Sequence, residues 1–297
     1  MRAPASSANL GPGFDALGLA LGLHDEVHAQ VIETGLRIEV SGVGEATARY
    51  GEGHLVVRAM RAAFDALGGQ PPGISLRCVN AIPHGFGLGS SAAAIVAGVL
   101  AARALCGGQA RMPDAAVLQL ATYIEGHADN VAACLTGGLT IAWDAGPVRC
   151  LRLDPAPGLT PVLCIPAEPL ATEAARQVLP AAVPHADAAR NAARAALLVA
   201  ALTQPATDAG LLLDATLDFL HQPYRASSMP ATTELVGELR KAGIPAVVSG
   251  AGPAVLALLV RGVTAEPKVV AGIAAASGNE WTVRALEVDR DGAVVLT

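Results

Sequence analysis

The chain has 297 residues, of which 52% are hydrophobic, 15% charged and 3% aromatic. That length fits one large domain or two medium ones, with a core packed mainly by Ala, Val and Leu. A net charge of −6 and the absence of any Lys/Arg run exclude a general nucleic-acid binder, which would carry a basic patch.

The five cysteines, Cys78, Cys106, Cys134, Cys150 and Cys164, show no C-x-x-C and no Cys/His ligand spacing. Free thiols in a reducing cytosol are expected, so the chain reads as cytoplasmic. Residues 78–102 and 242–260 are uncharged and long enough to span a bilayer apart from their arginine-free polar breaks. Pro, Gly and Ser interrupt both, which favours buried loops between core elements over membrane spans. The N-terminus, MRAPASSANLGPGFD, has no apolar run of a signal peptide.

In chain order, Val27 to Val43 alternates as a strand pair would. His54 to Leu67 has helical spacing and is stopped by Gly68-Gly69. Ile74 to Val79 reads as a strand, followed by the loop PHGFGLGSS and a helix running to about Cys106. Pro113 to Glu125 is a helix, EGHADN a loop, and Leu139 to Trp143 a strand. The Pro/Gly-rich stretch Asp154 to Pro161 marks a boundary, giving domains at 1–157 and 158–297. Beyond it come a strand over Val162 to Ile165 and helices over His185 to Thr203, Asp208 to Leu220 and Thr232 to Ala242. Ala246 to Val248 and Ala254 to Val260 flank SGAGP as a hairpin. A helix near Ala265 to Ala276 and a strand near Trp281 to Val288 complete an α+β layer.

The loop before the second helix carries the strongest chemical signal. A helix N-terminus presents unpaired N–H groups and the positive end of a dipole. Glycines ahead of it let an anion approach the backbone, and serines add hydroxyls, so the segment suits a phosphate. A flexible turn with a serine N-cap reads almost as well from glycine content alone. The loop is no Walker A sequence, since GK[ST] is missing, and no dinucleotide fingerprint, since no acidic residue follows at the needed distance.

Five motifs in order narrow the reading: PASSANLGPGFDALGLAL, PHGFGLGSSAA, EGHADNVAACLTGG, LHQPYR and VSGAGPAVLAL. Together they resemble the homoserine kinases of the GHMP kinase superfamily. The resemblance implies a two-domain α+β fold, with an N-terminal nucleotide-binding domain and a C-terminal ferredoxin-like layer. It further implies ATP-dependent phosphorylation of the L-homoserine side-chain hydroxyl in threonine biosynthesis, with Mg2+ as the metal. By the same resemblance the chain is expected to be a homodimer acting on a small molecule, while its charge and broken apolar stretches argue against nucleic acid and membrane.

Carried over residue by residue, Pro83, His84, Gly85, Phe86, Gly87, Leu88, Gly89, Ser90, Ser91, Ala92 and Ala93 would wrap the triphosphate. Ser90 and Glu125 would hold the magnesium. Asn9 and Asp15 would meet the ammonium and hydroxyl of the acceptor, His127 and Asn130 would line the same pocket, and Arg194 and Arg225 would bind its carboxylate. Gly250 and Gly252 of SGAGP would bring a second flexible backbone to the substrates. Asn130, Asp15 and Glu125 form the catalytic set of a direct in-line transfer with no covalent intermediate and no dedicated base. Each has a plainer reading: Asp15 as a turn residue, Glu125 as a solvated helix-end carboxylate, His127 as a locally satisfied loop histidine, and SGAGP as a hairpin turn. Phe86 and Ala254 stand where many relatives have Arg and Ser or Thr. Two rival functions fit the family fold: a kinase for another small alcohol, and a ligand-binding relative without turnover.

Overall fold

The computed structural model describes residues 1–170, 172–204 and 208–296. Six strands form the first sheet: β1 (Arg2–Ala8), β2 (Leu17–Ile32), β3 (Gly35–Gly42), β4 (Gly73–Asn80), β5 (Leu139–Asp144) and β6 (Val148–Leu153). Their order is β3-β4-β2-β5-β6, with β1 paired to β2. The alternating stretch from Val27 to Val43 does supply two strands, but they do not pair with each other. β4 lies between them, antiparallel to β2 and parallel to β3. The start of β4 permits it: a Cβ at Gly73 would stand 2.5–2.8 Å from the Thr34 and Gly35 backbone. The missing side chain lets the β2–β3 connection cross over the end of the inserted strand. The edge strand β6 escaped the sequence reading because its half-exposed residues and two arginines weaken the apolar pattern.

Four helices pack with this sheet: α1 (Leu55–Leu67), α2 (Ser90–Leu105), α3 (Asp114–Glu125) and α4 (Asp129–Thr136). α1 and α2 end close to their expected bounds, α1 at Gly68 with φ 104°. α2 is buried from Ala92 to Ala102 except at Ala94, as an apolar helix without a polar face must be. α4 is a correction. The segment EGHADN is a loop only as far as Ala128, and Asp129 and Asn130 open a short helix.

The second sheet contains β7 (Leu159–Pro166), β8 (Ala246–Val248), β9 (Val255–Val260) and β10 (Trp281–Ala285), ordered β10-β7-β9-β8 and antiparallel throughout. The expected hairpin is present, with Val248 opposite Val255. Period-two alternation divides its two faces. Leu163, Ile165, Leu256 and Leu258 join the core that includes the first sheet. Val162, Cys164, Val255, Ala257 and Leu259 pack with Leu235, Leu239, Val270 and Ala274 from α9 (Pro230–Lys241) and α10 (Pro267–Ala276). The remaining α-helices among the described residues are α5 (Thr172–Gln177), α6 (His185–Thr203), α7 (Ala209–Ala215) and α8 (Gln222–Arg225).

α7 stops well short of Leu220. Thr216 Oγ1 donates to the Leu212 carbonyl, and Arg240 donates to Leu213 O and Thr216 Oγ1, which consumes the helix end. β10 likewise ends before Val288, because the chain leaves the second sheet there. Val288 bridges to Leu21 and Val294 to Arg2, so the C-terminal segment returns to the first sheet.

The uncharged stretch 78–102 is the end of β4, a loop and most of α2, and 242–260 is the β8–β9 hairpin with its approach. Among the described residues no helix is long and apolar enough to cross a membrane. All five cysteines are free; Cys78, Cys134 and Cys164 are buried, while Cys106 and Cys150 are partly exposed.

Leu256 is fully buried in the shared core, so Leu256→Ala is expected to lower unfolding free energy by about 2–5 kcal/mol in urea denaturation. The half-exposed Leu151 provides the contrast: Leu151→Ala should change it by no more than about 0.5 kcal/mol.

Candidate active site

The loop from β4 to α2 is wedged among β1, α4 and the 249–254 turn. A Cβ at Gly89 (φ 68°) would collide with Ser6 Oγ and lie 3.0 Å from Asn130 Oδ1. One at Gly87 (φ 72°) would collide with the Ser249 carbonyl. The glycines therefore serve a close crossing of backbones as well as a left-handed conformation. Ser6 N donates to Leu88 O at 3.0 Å, and Ser249 Oγ donates to Gly87 O at 2.7 Å, so the crossing is bonded on both sides.

Two cavities meet at Ser90 and Ser91, at the start of α2. One, of about 240 Å³, is lined by Asn9, Gly85, Gly87, Leu88, Gly89, Glu125, His127, Asp129, Asn130, Arg176, Arg225 and Gly250, with Ala8 and Ala251. The other, of about 340 Å³, is more apolar and is walled by Val27, Tyr50, His54, Leu55, Val56, Asn80, His84 and Ala93 among others.

Most of the sequence-predicted residues thus converge on this cleft. Ala92 and Ala93 are buried in the first turn of α2, and Phe86 packs partly buried against the core. Gly252 belongs to the 249–254 turn but lines neither cavity; a Cβ there would stand 2.7 Å from Met229 Sδ. Pro83 is half-buried at the loop's start and lines neither cavity.

Asn9 (φ 67°) closes the floor: Nδ2 donates to Gly250 O at 2.8 Å, and Oδ1 accepts from Asp15 N at 2.9 Å. Asp15 lies behind the wall. Its carboxylate takes both Nη groups of Arg176, at 2.7 and 3.1 Å. That bidentate pair raises the Arg176 pKa.

Arg194 is not brought to the cleft. It sits on α6, 3.9 Å from Asp214 and outside both cavities. The second arginine at the cleft is Arg176 of α5 instead. Arg225 is 1% exposed and has no ion-pair partner among the described residues. Its Nε donates to Ala175 O at 2.9 Å, and Nη1 contacts His221 Nδ1 at 3.0 Å and Gly250 O at 3.4 Å. Burial first, and then Arg176, depress its pKa.

Ser90 and Ser91 both line the cavities, but they differ in their bonding. Ser91 Oγ, not that of Ser90, donates to Glu125 Oε2 at 2.6 Å. Successive helix residues point about 100° apart, so only one of the two can face α3. Glu125 is no solvated helix end, since its side chain is only 9% exposed. Burial raises its pKa, partly offset by the Ser91 bond. His127 Nδ1 pairs with Asp129 Oδ1 at 2.9 Å, a bond that raises the imidazole pKa against desolvation. Asn130 Oδ1 accepts from Ser6 Oγ at 2.9 Å.

Arg176, Asp129 and His221 were not read from the sequence. Asp129 and His221 lay inside quoted motifs, HADN and LHQPYR, and a polar residue next to a chosen one was their available signal. Arg176 is flanked by Ala175 and Gln177 in an ordinary helical stretch and carries no local mark.

Two family models match the chain: the GHMP kinases N terminal domain over residues 54–138 and the GHMP kinases C terminal model over residues 196–271. A homoserine kinase of Streptomyces coelicolor is 54% identical over 298 residues, covering 100% of this chain and 94% of that protein. One from Clavibacter michiganensis is 47% identical over 299 residues, covering 99% and 93%. Among solved structures, homoserine kinase from Cytophaga hutchinsonii superposes with TM-score 0.83 at 27% identity, over 98% of this chain and 95% of that one. Phosphomevalonate kinase of Streptococcus pneumoniae, at TM-score 0.73 and 14% identity over 96% and 99%, shares the fold.

The His127 pair sets a pH dependence. Its pKa in the fold is raised above the ordinary 6.5, so its stabilisation is complete below about 6.5 and is lost as pH rises through the folded value. Urea titrations of wild type and His127→Gln should therefore differ more at pH 5.5 than at pH 9.

Proposed function

The chain belongs to the homoserine kinases of the GHMP kinase family, and from that premise we propose that it transfers the γ-phosphoryl group of ATP to the side-chain hydroxyl of L-homoserine. The observation that carries the reading is the pairing of a phosphate-suited helix start with a buried arginine that lacks a carboxylate partner. An amino-acid carboxylate supplies that partner.

In this reading the triphosphate lies along residues 85–91, on the N–H groups of the first turn of α2. The nucleoside extends into the more apolar cavity of about 340 Å³. L-Homoserine occupies the neighbouring cavity, its carboxylate on Arg225 with Arg176 at its side. Asn9 lies at the ammonium end, and Asp15, behind the wall, holds Arg176 in place. Asn130, oriented by Ser6, directs the hydroxyl in line with the phosphate. His127, tied to Asp129, closes the pocket wall, and no residue is assigned as a dedicated base. Phosphoryl transfer depends chiefly on positioning and on offsetting charge.

Magnesium fits the donor set. Glu125 carboxylate and Ser91 hydroxyl are hard oxygen donors 2.6 Å apart, and magnesium is commonly bound by one or two carboxylates together with substrate phosphates. When bound, the ion would supply positive charge to offset that of the phosphate oxygens. Glu125, held in a buried setting that disfavours its lone charge, is stabilised as a carboxylate by such a partner. The reaction belongs to threonine biosynthesis in the cytoplasm, with the enzyme a homodimer by family analogy.

ADP release with Mg2+-ATP should be fast with L-homoserine and at background with mevalonate and galactose. Arg225→Ala should lower kcat/KM for L-homoserine about 100-fold, the loss expected when a charged hydrogen-bond donor is removed from a buried site. Glu125→Gln should lower kcat by a similar factor and move the magnesium optimum upward. Equal rates with all acceptors, or no turnover despite ATP binding, would overturn the reading.

A further inference from the structure

Arg225 is the charged group most in need of a mount. Its guanidinium is buried, so its plane must be fixed by neutral acceptors before any ligand arrives. Ala175 O takes Nε, and Gly250 O takes only a long contact from Nη1, at 3.4 Å. The shorter Nη1 contact is to His221 Nδ1, at 3.0 Å. Among the described residues, Nη2 has no hydrogen-bond partner, which leaves it for a ligand carboxylate.

His221 is fully buried and its protonation pattern follows from its neighbours. Nε2 lies 2.9 Å from Gly11 O, which only accepts, so Nε2 carries the hydrogen. In the neutral ring Nδ1 then presents a lone pair to Arg225. Desolvation lowers the imidazole pKa against the opposing pull of Asp218, whose Oδ2 lies 3.5 Å from Nε2, and Arg225 lowers it further. The ring also stacks on Phe14 at 5.2 Å with an interplanar angle of 27°. Asp218 Oδ2 accepts from His221 N at 3.0 Å and Gln222 N at 2.6 Å, which fixes the backbone that carries the ring.

We propose that His221 is a positioning residue for substrate recognition: its neutral imidazole links the Gly11 carbonyl to Arg225 and so sets the guanidinium plane that reads the acceptor's carboxylate. The proposal rests on the homoserine kinase reading and adds to it a residue that touches no reacting atom. Because it acts on the carboxylate receptor, it governs affinity for the acceptor and leaves the nucleotide side alone.

Three variants divide the imidazole's two contacts. An asparagine oxygen falls near the place of Nδ1, and a glutamine amide near that of Nε2. His221→Asn therefore keeps an acceptor for Arg225, His221→Gln keeps the donor to Gly11, and His221→Leu keeps neither. KM for L-homoserine should rise about tenfold or more in His221→Gln and His221→Leu, the scale of a lost hydrogen bond to a charged group, and less than threefold in His221→Asn. KM for ATP should stay within twofold in all three. The preference for L-homoserine over 3-aminopropan-1-ol, which lacks the carboxylate, should narrow by the same factor as KM rises.

Thermal melts of the three proteins establish that each is folded at assay temperature. An active wild type with unchanged homoserine KM in folded Gln and Leu variants overturns this proposal alone. So does a KM rise that is equal in Asn and Leu, or one shared by ATP. A wild type without homoserine-dependent ADP release overturns the functional reading and the proposal with it.

Discussion

A buried guanidinium without a carboxylate partner is the constraint around which the cleft is arranged. Removing a charge from water costs several kcal/mol unless it is paired or well hydrogen-bonded. Arg225 meets that cost with acceptors from separated parts of the chain: Ala175, His221 and Gly250. Its site therefore exists only when α5, α8 and the 249–254 turn are assembled together. Nearby acidic groups, Asp15, Asp218 and Asp129, favour its charge without forming an ion pair with it. Such a receptor is ready for an anion, because binding displaces no protein carboxylate. Arg176 differs in kind. Its fork is already occupied by Asp15, and that pair is about one-third exposed, where solvent weakens the attraction.

The same economy of contacts governs the glycine-rich loop. Ser6 of β1 touches Asn130 of α4 and accompanies Gly89 at the crossing, and Ser249 bonds both Ser7 and Gly87. The buried hydroxyls of β1 and the hairpin turn thus hold the loop from two sides. A looser mount would leave the N–H groups of α2 free to drift from the position that a phosphate needs, and catalysis by positioning is sensitive to shifts of about 1 Å.

Much of this was legible in the sequence, and the failures have physical reasons. Elements closed by a glycine stop, such as α1 with its helical spacing and α2 with its continuous apolar run, were read closely. Order along the chain was not order in the sheet, because strand adjacency depends on contacts far apart in sequence. β4 entering between β2 and β3 is the case in point, permitted by the single glycine at Gly73. At the site, residues inside the quoted short motifs are brought together: Asn9, Glu125, Asn130 and Arg225 all line the cavity. Arg176 was invisible, because its neighbours in sequence do not resemble a site and its partner, Asp15, is 161 residues away. Arg194 was chosen by resemblance to a carboxylate-binding arginine, but α6 places it 3.9 Å from Asp214. Ser90 and Ser91 could not be separated without knowing which face of α2 meets α3.

Phe14 shows how the cleft joins these parts. Aromatic residues are only 3% of the chain, yet this ring is not placed in the hydrophobic core. It stacks on His221 at 5.2 Å, and the Arg225 and Arg176 guanidinium carbons lie 5.6 and 5.9 Å from its centre. A cation near an aromatic ring is worth about 0.5–2 kcal/mol, more where water is excluded. Beyond that energy, the ring gives two like charges and an imidazole a common surface without adding another charge. It rides on the loop that follows Asn9, whose left-handed conformation, with φ 67° at Asn9 and 55° at Asp15, presents the ring and the Asp15 carboxylate together. The shape of that N-terminal loop and the orientation of both arginines are therefore one structural problem, solved by the segment from Asn9 to Asp15.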